Sequence, residues 1–164
     1  MTLITTSSNA QDLSMTLVAE FNAAPERVWN LWEDPRQLER WYGPRPYPAF
    51  FTRYEFEPGG HCRYYMTGPE DFLHHGWWRI DALDAPRRIE FVNGLAGADG
   101  EPVPGLAPVN GVVTFEPIAT GTRMTVLCQF PDAEAMEQLA TGMQEGMSIA
   151  IDQIDAVLAP VHAA

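Results

Sequence analysis

Hydrophobic and polar positions alternate with a period of two through most of the chain, then switch to a helical period near its end. Leu13, Met15, Leu17, Ala19 and Phe21 share one face of an extended segment, with Ser14, Thr16 and Glu20 on the other. That alternation predicts a half-buried strand over 13–22. Ala23-Ala24-Pro25-Glu26 then opens a helix, with proline in the first turn and a carboxylate where the helix dipole favours one. Val28, Trp29 and Trp32 form its apolar side, and Asp34-Pro35 ends it and starts a second short helix carrying Leu38 and Trp41. Strands follow over 47–57, 61–67, 72–83 and 88–93, separated by turn signals at Pro58-Gly59-Gly60 and Gly68-Pro69-Glu70-Asp71. Cys62, Tyr64 and Met66 share a face of the second of these, and Gly76 reads as a bulge in the third. The stretch 94–111, rich in Gly, Pro and Ala, predicts a long loop, either covering a site or serving as an extended hairpin connection. A last hairpin occupies 112–116 and 122–130, with Met124, Val126, Cys128 and Phe130 on one side of its second strand.

From Ala133 to Leu158 the apolar residues Met136, Leu139, Met143, Met147, Ala150 or Ile151, Ile154, and Val157 or Leu158 recur every three or four positions. They predict one continuous amphipathic helix with Asp132 as its N-cap. Gly142 and Gly146 lie inside it, each costing about 1 kcal/mol relative to alanine, which argues for a close approach at those turns. Strand, two short helices, six strands and a long helix make an α+β chain with its helices on one face of a curved, seven-stranded antiparallel sheet. The polar residues 1–12 read as a flexible leader, 13–158 as one domain and 159–164 as a tail.

Composition narrows the function. Of 164 residues, 46% are hydrophobic and 20% charged, enough apolar material for a core. No run approaches the roughly 18 apolar residues of a membrane helix, and the N-terminus lacks the basic and apolar regions of a secretory signal, so a cytoplasmic, soluble protein is expected. The net charge is −12 and every basic residue is arginine, which argues against nucleic acid and anionic membranes as partners. Without lysine there is no Schiff-base or phosphate-loop chemistry. Cys62 and Cys128 are too few for a disulfide scaffold or a thiolate metal site. The histidines His61, His74, His75 and His162 lack the spacing that would put two imidazoles on one metal. No catalytic residue, metal ligand or cofactor is assigned.

Several segments carry a resemblance: APERVW (24–29), DPRQLERWYGP (34–44), EPGG (57–60), MTGPED (66–71), DAPRRIEFV (84–92), the hairpin over 113–126 and the helix over 135–158. Together they resemble the SRPBCC or START-like superfamily, and within it the stand-alone bacterial members of the family of the heat-shock protein 90 ATPase activator. The resemblance implies a helix-grip (START-like, Bet v-like) fold with a cavity between the sheet and the C-terminal helix. On that fold the inward positions are Tyr64, Met66, Trp78, Ile80, Ile89, Phe91, Val113, Phe115, Met124, Val126 and Cys128, with Met143, Met147 and Ile151 from the helix. The candidate ligand-binding residues are Trp41, Tyr64, Met66, His74, Trp78, Phe91, Phe115, Met124, Met143, Gly146, Met147 and Ile151. This aromatic and thioether-rich set suits a hydrophobic or aromatic small molecule, and a homodimer is allowed. A polyketide cyclase- or dehydratase-like enzyme is the alternative, with His74 or His75, Arg63, Tyr64, Asp81 and Gln144 as its polar candidates. A chaperone-associated module, like the activators of heat-shock protein 90 ATPase, is the third reading, though only 12 residues precede the first expected strand.

Overall fold

The computed structural model describes residues 3–159. Its strands are β1 (Leu3–Asn9), β2 (Ser14–Phe21), β3 (Ala49–Tyr54), β4 (His61–Thr67), β5 (Leu73–Asp84), β6 (Arg88–Ala96), β7 (Val109–Ile118) and β8 (Gly121–Gln129). Its helices are α1 (Pro25–Glu33), α2 (Pro35–Leu38), α3 (Ala133–Asp152) and α4 (Ile154–Leu158). All strands pair antiparallel in one open sheet of order β1-β2-β8-β7-β6-β5-β4-β3, and the long helix packs on it. This is the expected α+β helix-grip architecture, with four differences of detail.

The sheet has eight strands rather than seven. Residues 3–9, read as part of a flexible leader, form β1 and pair along the whole of β2, from Leu3 opposite Glu20 to Asn9 opposite Ser14. Residues 5–9 are exposed, so no hydrophobic alternation marks the strand, and its backbone pairing alone makes it. The segment expected to be a loop from 94 to 111 is shorter, because β6 runs to Ala96 and β7 begins at Val109. Gly94 is a strand residue opposite Trp77, and a Cβ there would press on the Trp77 indole at about 2.9 Å from Nε1. Gly76 is no bulge either: it pairs regularly with Tyr64, whose ring lies where a Cβ would go. The irregularity in β5 falls between Ile80 and Ala82 instead.

The C-terminal helix is not continuous. It breaks at Gln153, whose N–H bonds the carbonyls of Ile149 and Ala150 in a tightened turn before α4 begins. The Gln153 side chain also reaches across to donate to the carbonyls of Trp41 and Gly43 at 2.8 and 3.0 Å. Hydrophobic spacing carries no mark of such a tie, since both helices keep the same face inward. Asp132 does cap α3, accepting from Ala135 N–H at 2.8 Å. Of the expected tail 159–164, only residue 159 lies among the described residues.

The core sits between the concave face and the helices. Trp29 and Trp32 of α1 are buried there with Trp41, Trp78, Phe91 and Phe115, in edge-on and tilted contacts such as Trp32–Trp41 at 4.9 Å and Trp78–Phe91 at 5.0 Å. Ala150, Ile151, Ile154 and Val157 close this core from the helical side, whereas α3 has no buried residue before Ala150.

Two glycines in opposite settings give a test of the architecture. Gly121, at φ +148°, turns the β7–β8 hairpin against the backbone of Phe21 and Ala23, where a Cβ has no room. Gly142 is exposed on α3, with nothing within 4 Å of where a Cβ would stand. Urea unfolding should show Gly121→Ala destabilised by about 1–3 kcal/mol and Gly142→Ala stabilised by about 1 kcal/mol. A destabilised Gly142→Ala would mean that this face of α3 packs against a neighbour instead of solvent.

Candidate functional site

The curvature of the sheet leaves more concave surface than the helices cover. Tryptophans from α1 fill the half under α4 and the end of α3, and a cavity of about 530 Å³ remains under the rest of α3. Its sheet wall is Tyr64 and Met66 of β4 with Asn93–Leu95 of β6, and its roof is α3 from Glu134 to Met147. Tyr42 and Pro44, after α2, close one side, and Gly105–Ala107 of the β6–β7 connection closes another. Leu95 and Leu106 line it while 54% and 51% exposed, so its mouth presents apolar side chains to solvent.

Of the residues singled out in the sequence, Tyr64, Met66, Met143, Gly146 and Met147 line this cavity together. Trp41, Trp78, Phe91, Phe115, Met124 and Ile151 do not; they are buried in the tryptophan-filled core. Strand parity marked Trp78, Phe91, Phe115 and Met124 as inward, and helical spacing did so for Ile151, but periodicity cannot tell a wall from a packed core. His74 has the inward parity of Gly76 and Trp78, yet it sits at the exposed end of β5, against Tyr47 and Phe72. Gly142 also lies outside, on the exposed side of α3, so only one of the two helix glycines borders the cavity. Gly146 does so with Pro44 Cγ 3.7 Å from where its Cβ would be.

The sequence reading missed Tyr42, Pro44, Asn93, Leu95 and Leu106. Tyr42 and Pro44 stand in an irregular segment after α2, and the other three in or beside the stretch read as structureless. Period-two alternation has nothing to say about either place.

The polar chemistry is concentrated at the inner wall. Trp78 Nε1–H donates to the Tyr42 hydroxyl at 3.3 Å, and the Tyr42 ring meets that of Tyr64 edge to face at 5.4 Å between centres. Burial first, and then the neighbouring Tyr64, hold the Tyr42 hydroxyl protonated well above its ordinary range. Burial likewise raises Tyr64, against the lowering effect of its bonds to Tyr42 and Trp78. Asn93 donates through Nδ2 to the Val109 carbonyl at 3.0 Å.

The other polar candidates lie elsewhere. Arg63 pairs with Glu101 at 2.8 Å, Asp81 with Arg79 at 2.9 Å, and Gln144 bonds Thr6 Oγ1 of β1 at 2.8 Å. His75 is half-buried beside Tyr65, and His162 lies outside the described residues. Among the described residues no three His, Cys, Asp or Glu side chains converge as a metal site. No helix among them is long and apolar enough to cross a membrane.

Both cysteines are buried and unpaired. Burial, the main cause in each case, pushes both thiols up to about 12. Cys62 and Cys128 should therefore resist Ellman's reagent at pH 8 and react together only after denaturation. Because the folded state keeps protons that unfolded thiols lose near pH 8.5, this contribution to stability is complete below about pH 8 and declines as pH rises toward 12. Rapid native labelling, or a stability constant between pH 8 and 11, would contradict the burial.

Comparison with known proteins places these features. The sequence model of the family described as Activator of Hsp90 ATPase homolog 1-like protein matches residues 22–159. Among solved structures, protein Ms6760 from Mycobacterium smegmatis is 38% identical, with a TM-score of 0.90 over 98% of this chain and all of its own. A protein from Arthrobacter aurescens is 46% identical, with a TM-score of 0.89 over 94% of this chain and 90% of its own. The AHSA1 protein from Silicibacter pomeroyi shares the fold at 20% identity, with a TM-score of 0.73 over 88% of this chain and 96% of its own. No functionally curated protein matches the chain.

Proposed function

This chain belongs to the Activator of Hsp90 ATPase homolog 1-like family, and from that premise we propose that it binds a hydrophobic or aromatic small molecule between its sheet and α3. The observation that carries the reading is the cavity of about 530 Å³, within the range of small-molecule sites. Met66, Leu139, Met143 and Met147 give it an apolar lining, and an apolar occupant gains by leaving water for it. The methionines can change rotamer around guests of different outline. Leu95 and Leu106, exposed at the mouth, give an apolar molecule a first contact. Binding is favoured over catalysis because Tyr64 alone, of the polar candidates, borders the cavity, and its hydroxyl stays protonated. A cyclase-type proton abstraction needs a base within reach of its substrate; the carboxylates on the lining, Asp132 and Glu134, stand exposed at the start of α3, and Asp132 is taken up in capping it.

Gly146 is the place to test the reading. Leucine there extends from α3 into the cavity, while as a helix former it favours the fold by about 1 kcal/mol over glycine. Nile red, a neutral apolar dye, should bind the wild-type protein with a rise in fluorescence, and Gly146→Leu should weaken binding at least tenfold without lowering the melting temperature. Wild-type protein that leaves the dye unbound, or equal binding by the two proteins, would overturn the cavity reading.

A further inference from the structure

Alternation along β4 and β5 turns Cys62 and Trp78 into the core and their neighbours His61, Arg63, Trp77 and Arg79 to the opposite face of the sheet. Register sets these four in a square, with His61 opposite Arg79 and Arg63 opposite Trp77. Gly100, Glu101 and Pro102 of the β6–β7 connection fold over the square, and a second cavity of about 250 Å³ lies between. It shares no lining residue with the cavity under α3.

The floor of this second cavity is an indole outside the main core. Trp77 is half-buried, whereas Trp29, Trp32, Trp41 and Trp78 are at most 5% exposed. Its ring is seated where β6 gives up a side chain, over Gly94. The roof comes down close to Arg63: Gly100, at φ +81°, would carry a Cβ 2.9 Å from Arg63 Nη1. Arg63 gives Glu101 only its Nη2, at 2.8 Å, and Arg79 gives Asp81 its Nε and Nη2. The Nη1 group of each arginine has no partner among the described residues.

The charges favour an anion. Two arginines and a histidine share the lining with one carboxylate, Glu101, in a chain of net charge −12. Asp81 and Glu55 stand beside the square, the first bound to Arg79, the second to Arg53 and the His61 N–H. Cationic groups opposite one another on neighbouring strands repel, and an anion between them relieves the repulsion. A guanidinium suits a planar carboxylate in particular, because its N–H groups match the two oxygens. The cavity under α3 has the reverse lining, with Asp132 and Glu134 and no arginine.

We infer that this second cavity binds a small aromatic carboxylate, its ring against the Trp77 indole and its oxygens on the free N–H groups of Arg63 and Arg79. A volume below that of drug-sized sites suits one or two rings. This site stands or falls separately from the cavity under α3.

In a proton–nitrogen correlation spectrum of labelled protein, Trp77→Phe assigns the Trp77 indole signal, and 2-naphthoate should shift that signal saturably. 2-Naphthamide, with the same outline and no charge, and acetate, with the charge and no ring, should each bind at least fivefold more weakly. Arg63→Gln should cost naphthoate about tenfold, the worth of a charged hydrogen bond, and the amide no more than threefold. Arg63 also holds the roof through Glu101, and a merely structural loss would weaken both compounds alike. Arg79→Gln, which leaves that tie intact, should cost naphthoate at least threefold. Gly146→Leu should leave the Trp77 shift as it is in wild type. No saturable shift at Trp77, equal binding of naphthoate and naphthamide, equal losses for the two in Arg63→Gln, or unchanged naphthoate binding in Arg79→Gln would each overturn the inference. So would a shift abolished by Gly146→Leu, which would put naphthoate under α3.

Discussion

Trp29 and Trp32, carried into the concave face by α1, decide how the rest of the molecule closes. A strongly curved sheet cannot be covered evenly by straight helices, so something must fill its deep side. Here the two indoles do so, with Trp41, Trp78 and Phe91 packed around Trp32 and Phe115 against Trp29. The helical lid can then seat Ala150, Ile151, Ile154 and Val157 on a firm base at that end. At the other end no bulky element rises from below, and α3 bridges a gap instead of a core. The cavity is what the tryptophans leave unfilled.

That division also explains the joint at Gln153. The lid is fastened where the packing is dense: Gln153 bonds the backbone of Trp41 and Gly43, and Arg27 of α1 reaches the Val157 carbonyl at 3.2 Å. Beyond this anchorage, α3 is tied to the sheet by Gln144 on Thr6 of the outermost strand, at one margin of the cavity. β1 therefore extends the sheet far enough to meet α3. Fully buried side chains hold the C-terminal part of the lid, and partly buried Met136, Leu139, Ala140, Met143 and Met147, with the bond from Gln144, hold the rest.

The electrostatics follow the same geometry. The ion pairs of Arg53, Arg79 and Arg88 lie on exposed strand surface, where such pairs are worth little to stability. Their placement matters more for what it denies: among the described residues, the inside of the grip holds neutral donors and its mouth holds carboxylates. A chain of net charge −12 thereby keeps an uncharged interior without burying an ion.

Alternation along β2, β4 and β8 and the three-and-four spacing after Asp132 determined the fold class, because each element buries one face and its period names that face. The cap at Asp132, the inward parity of Tyr64 and Met66, and the helical line through Met143 and Met147 were legible for the same reason. Other features were settled only by the three-dimensional arrangement. Trp78 and Phe91 have the same inward pattern as Tyr64, and only the position of Trp32 above them makes them core instead of wall. β1 shows no alternation because its reason for being extended is the free edge of β2. Gly94 looked like loop because what it accommodates, the indole of Trp77, lies on another strand. Periodicity records which side of an element faces inward; whether that side meets another side chain or empty space depends on residues far along the chain.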